Sequence, residues 1–364
     1  MPFTMIGKAK TSILLVGLLV SFFAAPYARS QERKKIHPEA VKIVMAKNTK
    51  QATRGGIVRA RLDEKIILYA VVRAKLGDHK IIVTDAPSVM QGGKLVDSTE
   101  VVRPESIKGI QLKWFKVQPT GESYNNTAGG FHWDKIEYEE FPMGVWGNDW
   151  SIEADAHPCP PYEDTNNGAG TMAFMVRIRM NNRILSSPGK QSIFRGGLSD
   201  DVPRVAFRAD DTYIGRLTEL FNTPYIWGSS GTSATDHQAE RLIGSDCADF
   251  IVYGARRLGK NIPYRATWHL PLVTKTIVRG QSVNDKGIFL DKAGHPLKIN
   301  KKGIHIGDLL LFSGHVAALV KDETPLGILD DNDIIIHTYW APPKKQHIRD
   351  SAYSRSKVRI LRWK

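Results

Sequence analysis

The sequence is poor in cysteine: two, Cys159 and Cys247, in 364 residues. That excludes a disulfide scaffold and a cysteine-rich structural zinc site. No H-E-x-x-H run occurs, and the acidic cluster Asp330-Asp331-Asn332-Asp333 lacks the glycine and distal glutamate of a calcium loop. That cluster reads as a polar turn, and no metal or cofactor is expected. Long apolar runs are missing beyond one near the N-terminus, and mean hydropathy is −0.27, which excludes a multi-spanning membrane protein. Heptads, 20–50-residue repeats and a G-X-Y period are absent too, so coiled coils, solenoids and collagen are set aside. Acidic residues are the minority, 37 against 51 Lys and Arg, for a net charge of +14.

What is there begins with a leader. Lys8 and Lys10 precede an apolar run, Ile13 to Ala25, then Pro26 and the small-residue stretch Ala28-Arg29-Ser30. A charged start, a short apolar stretch and such a site form a cleavable signal over residues 1–30. The run is short of the about 20 residues a spanning helix needs. The expectation is export to the periplasm, the cell wall or the exterior, with membrane contact only if the leader stays uncleaved. An exported basic surface attracts anionic wall polymers; nucleic acid suits the charge but not the compartment. The basic tail, Lys344 to Lys364, reads as a solvated face.

The remaining chain divides in two. Residues 31–209 read as strands: Ile66–Val72 and Lys80–Thr84 around a Gly77-Asp78 turn, then Gln111–Val117, Met172–Met180, Arg183–Leu185 and Val205–Phe207. The expectation is an antiparallel β-rich accessory domain, sandwich or barrel, with an irregular insert around Met143–Gly170. From residue 210 the pattern changes. Asp210-Asp211 is placed to cap a helix over Tyr213–Phe221, and Thr223-Pro224 ends it.

Chemistry gathers around Cys247. Phe250, Ile251, Ala255 and Leu258 form one helical stripe; Ser245 or Asp246 is placed to cap it, and Gly259 to end it. Cys247 therefore opens a helix, where dipole and free amides favour thiolate and can hold an oxyanion. A thiolate needs a base. A strand over Leu309–Phe312, a Ser313-Gly314 turn and a return over His315–Val320 precede Ile334–Tyr339. Antiparallel pairing of the last two brings His315 beside His337, one to take the proton and one to orient it.

Tyr225-Ile226-Trp227-Gly228, Asp246-Cys247, Ile262–Thr267, Gly307–Phe312 with His315, and Ile336-His337 resemble, in that order, the NlpC/P60 cell-wall peptidases. The likeness covers residues 210–364. It implies a papain-like α+β catalytic domain with Cys247 as nucleophile, His315 as base and His337 as orienting residue. It also implies cleavage of peptidoglycan stem peptides, commonly between D-γ-glutamyl and a diamino acid, with Tyr225 and Asp246 holding the substrate amine. The chain departs from the family pattern at Ala248-Asp249, where Ser-Gly is usual, and at Ser229, where glycine is usual. The 18 residues from Ser229 to Asp246 make a longer loop than usual. Two other readings fit the same residues: a papain-like amidase or acyltransferase, and a catalytically degenerate wall-binding protein. Cys247 preceding His315 favours the peptidase order.

Overall fold

A computed structural model describes residues 36–48, 52–54, 56–91, 94–95, 101–180 and 182–364. The leader expected over residues 1–30 lies outside them. Among the described residues no helix is long and apolar enough to cross a membrane.

The chain is mixed α+β and mostly sheet. Alternation makes the first layers. In the strand Ile66–Leu76, Ile66, Leu68, Ala70, Val72 and Ala74 are all buried, while the residues between them are partly or fully exposed. This strand pairs antiparallel with Ile36–Lys47 and, across the Gly77-Asp78 turn, with His79–Val83. A second sheet is built on Gln111–Pro119, Gly170–Met180 and Arg204–Arg208. Its Leu112, Trp114, Phe174, Val176 and Val205 share one apolar cluster with Val41, Ile43, Leu68 and Val72 of the first. The sheets are mixed, correcting the purely antiparallel expectation. Arg204–Arg208 runs parallel to Ile57–Arg61, His79–Val83 to Val101–Val102, and Ala52–Arg54 to Val89–Gln91. Parallel neighbours arise because the connections between these strands are long crossovers rather than tight hairpins.

The second part holds a six-stranded antiparallel sheet ordered Thr274–Arg279, Arg359–Trp363, Leu309–Leu311, Val316–Lys321, Ile334–His337 and Lys344–His347. Its faces alternate residue by residue. Leu309, Val316, Ala318, Ile336 and Leu361 pack with the helix α2 (Cys247–Arg257) through Phe250, Ile251 and Ala255. Leu310, Ala317, Leu319, Ile335 and Ile360 pack on Phe289, Leu297, Leu329 and Ile348. The basic tail thus supplies an inner strand, correcting its reading as a solvated face. Ile360 and Leu361 are fully buried, and Arg362 is drawn to Asp308, 2.6 Å away.

The helix expected over 213–221 is shorter. Thr212, not Asp210 or Asp211, is the cap, its hydroxyl accepting from the Gly215 amide at 3.1 Å. Asp210 instead accepts from the Thr212 amide and holds the cap in place. This helix, α1 (Tyr213–Leu217), lies so close to α2 that a Cβ on Gly254 would come within 2.6 Å of Leu217. α2 ends at Gly259, whose φ of +87° suits glycine.

Ile36 to Lys364 is one compact unit, and the join near residue 210 is tightly made. Ser123–Asn125 pairs in parallel with Tyr225–Trp227. Glu219, wholly buried, meets Arg59 and Arg208 from the first sheets' side and Arg216 and Arg257 from the helices. It also accepts from the Tyr253 hydroxyl at 2.5 Å.

Candidate active site

Asp246 caps α2. Its backbone is extended and its carboxylate accepts from the Asp249 amide at 2.9 Å. Cys247 is the first helical residue. The chain leading into it is pinned by the strand Tyr225–Trp227, where the Ile226 amide donates to the Ser245 carbonyl at 3.0 Å. The amides of Val316 and Ala248 point at the Cys247 sulfur, so the sulfur sits at the start of the strand that His315 precedes.

His315 is held by the turn before it, the Phe312 amide donating to its carbonyl at 2.8 Å. Its Nε2 lies 2.8 Å from His337 Nδ1. The bond spans a diagonal of the antiparallel pair Val316–Lys321 and Ile334–His337, in which Ala318 faces Ile336. The His315 ring is stacked on Tyr353, 4.4 Å between centroids, with Tyr339 edge-on at 5.2 Å. Its Nδ1 has no hydrogen-bond partner among the described residues. For Nδ1 to accept a proton from the thiol, the ring proton must sit on Nε2 and be donated to His337.

Burial dominates the electrostatics. His315 is driven down to about 2, by desolvation and then by His337. His337 falls to about 4, by desolvation and then by Lys344, its cross-strand neighbour. The Cys247 thiol, 3 % exposed, is pushed far up by burial and then by Asp246, and the Val316 and Ala248 amides only partly offset this. Burial thus opposes the expectation that the helix terminus favours the thiolate. Desolvation and a carboxylate on each side outweigh a helix terminus. The uncharged form is therefore favoured for both the thiol and the imidazole. Cys159, also free, is the more accessible thiol.

Tyr225 is fully buried, and its hydroxyl has no partner among the described residues. Burial raises it, and the neighbouring Cys247 and Asp246 act in the same direction. Asp246 is itself raised, by burial and then by Asp249. These two residues therefore lie against the nucleophile, while one Asp246 oxygen is already used as the cap. A rim of half-exposed indoles, Trp227 and Trp340, stacks at 5.9 Å above them.

Sequence reasoning missed Tyr339, Tyr353 and Trp340, which are single aromatics without a motif. It also missed His237, which faces Asp249 at 3.3 Å; only the unusual length of its loop hinted at a role. Among the described residues no group of three or more His, Cys, Asp or Glu could hold a metal ion. No family model, no curated protein and no solved structure matches this chain.

Proposed function

We propose that this chain is an exported cysteine peptidase of the NlpC/P60 kind, acting on peptidoglycan stem peptides at the D-γ-glutamyl–diamino acid bond. One observation carries the reading: a cysteine opening a helix lies against the strand that follows a histidine, and that histidine is bonded at 2.8 Å to a second one. On this reading the Cys247 proton passes to His315 Nδ1 as the sulfur attacks the scissile carbonyl carbon. Amides of the first turn of α2 hold the oxyanion. The C–N bond breaks, the leaving amine takes the proton from His315, and a thioester remains. Water, deprotonated by His315, then releases the acid and restores the thiol. His337 keeps the base in the working tautomer. The neutral resting pair places the charge separation in the reaction itself, when bound substrate can stabilise it.

Digestion of purified muropeptides, followed by mass spectrometry, tests this. Wild-type protein is expected to release the two halves of the stem peptide. Cys247→Ala is expected to fold and to lose at least about 10⁴-fold. Full activity in that variant overturns the mechanism. The buried, protonated thiol supports a second reading, a wall-binding protein without turnover; binding of sacculi with no cleavage by wild-type protein would establish it.

A further inference from the structure

Two departures from the family pattern, Ser229 and Asp249, are far apart in sequence and meet in space. The Ser229 hydroxyl donates to Asp249 Oδ2 at 2.5 Å and accepts from the Asp246 amide at 3.1 Å. The Asp249 amide in turn donates to the Asp246 carboxylate at 2.9 Å. The residue just before the nucleophile is therefore gripped through its backbone by Ser229 and through its side chain by Asp249. The long loop brings a third member. His237 Nδ1 accepts from the Ala239 amide at 3.2 Å, which leaves the ring proton on Nε2, 3.3 Å from Asp249 Oδ2. Tyr264 stacks on that imidazole at 3.7 Å, and its hydroxyl donates to Glu240 at 3.1 Å. Ser229, His237 and Asp249 are all buried.

This is not a second catalytic triad. Serine and histidine both address the same carboxylate oxygen, so no base faces the hydroxyl. We propose that Asp249 is a positioning residue: through Ser229 and His237 it locks the chain entering Cys247, and its carboxylate, two residues beyond Cys247 in the first turn of α2, disfavours the thiolate until substrate is bound. The groups facing the sulfur are Asp246 and Asp249 from the start of its own helix and Tyr225 and Tyr353 from the surrounding elements. The groups facing Asp249 are Ser229, His237, Tyr264 and Asp246. Asp249 is the one acidic group of this set whose side chain meets both Ser229 and His237, so lock and charge are joined in one side chain.

The inference rests on Cys247 being the nucleophile. Its tests read the thiol and a backbone amide rather than hydrolysis, so their failure leaves that assignment standing. Full-length protein carrying Cys159→Ser is used throughout. Asp249→Asn keeps an acceptor for Ser229 and removes the charge. Iodoacetamide should then modify Cys247 about tenfold faster at pH 8, for a thiol easier to ionise by about one unit, while hydrogen exchange at the Asp246 amide stays as in the parent. Ser229→Ala should do the reverse: exchange at that amide rises on the order of tenfold as its buried acceptor is lost. Asp249→Ala should show both changes. Parent alkylation in Asp249→Asn, or parent exchange in Ser229→Ala, overturns the proposal. If Asp249→Asn does not fold, Ser229→Ala decides alone.

Discussion

The two ends of α2 carry buried polar clusters of opposite design. Near its C-terminal half, Tyr253 and Arg257 join Arg59, Arg208 and Arg216 around the single carboxylate of Glu219. Charge there is concentrated and well paired. At its N-terminus, Cys247, His315 and His337 are held uncharged, and His315 Nδ1 and the Tyr225 hydroxyl have no partner among the described residues. A buried charge is tolerable only when paired, and a buried polar atom left unpaired costs stability. One end of the helix therefore holds two parts of the chain together, while the other leaves bonding capacity unspent.

The sharpest way to break this contrast is to remove the charge at the stabilising end. Glu219→Gln takes the ion pair from Arg59 and Arg257, leaves Arg208 and Arg216 only Asp211, and should lower unfolding free energy by about 3–5 kcal/mol. Urea denaturation measures it. Below the transition, the alkylation rate of Cys247 should remain within about threefold of wild type, because nothing at the other end is touched. A large change in alkylation with little loss of stability would show that the two clusters are not separable.

The converse change belongs at the reactive end. On the proposed mechanism, His337→Ala should lower kcat roughly 10- to 1000-fold, the range for a residue that orients a base rather than reacting. Stability should fall by less than in Glu219→Gln, since a partly unsatisfied neutral group loses less than a paired charge. The ratio of the two effects in the two variants, measured by denaturation and by peptide hydrolysis, is what the contrast predicts to invert.

How much of this was readable beforehand depends on range. α2 was legible because Asp246, the Phe250-Ile251-Ala255 stripe and Gly259 are local signals. The strand Ile66–Leu76 was legible from a period of two. The pairing that joins His315 to His337 followed from two apolar runs separated by one polar loop. The burial of Cys247 was not legible. It depends on Tyr225, Tyr353 and the sheet arriving from 22 or more residues away, and no capping pattern encodes it. The Glu219 cluster was invisible for the same reason: Arg59 and Tyr253 are 194 residues apart. The terminal strand Arg359–Trp363 was hidden by its own charges. Arg359 and Arg362 read as solvent-facing, yet one bonds Thr276 and the other Asp308 across the sheet. Ser229 and Asp249 were each visible as an oddity, but nothing in sequence spacing says that two oddities touch.

The smallest effect concerns pH and follows from the two histidines. Both are ordinary near 6.5 in the unfolded chain and lower in the fold, His337 to about 4 and His315 to about 2. As pH falls below 6.5 the unfolded chain binds protons that the native site refuses, so stability drops with falling pH, by up to about 1.4 kcal/mol per unit for each group. The loss continues to about pH 4 for His337 and further for His315. The sign is that of a buried neutral base, opposite to that of a histidine stabilised by an anionic partner. The Glu219 end has no histidine among its partners and contributes nothing over that window through such a group. Between pH 7 and pH 5, wild-type protein should therefore lose about 2 kcal/mol more in urea denaturation than His337→Gln, which removes one of the two titrations. The same depression keeps His315 neutral, so the acid limb of kcat/KM should fall well below the ordinary histidine range. An acid limb near 6.5, with equal pH dependence of stability in both proteins, would mean that the imidazoles are solvated and that the two ends of α2 do not differ in the way their burial implies.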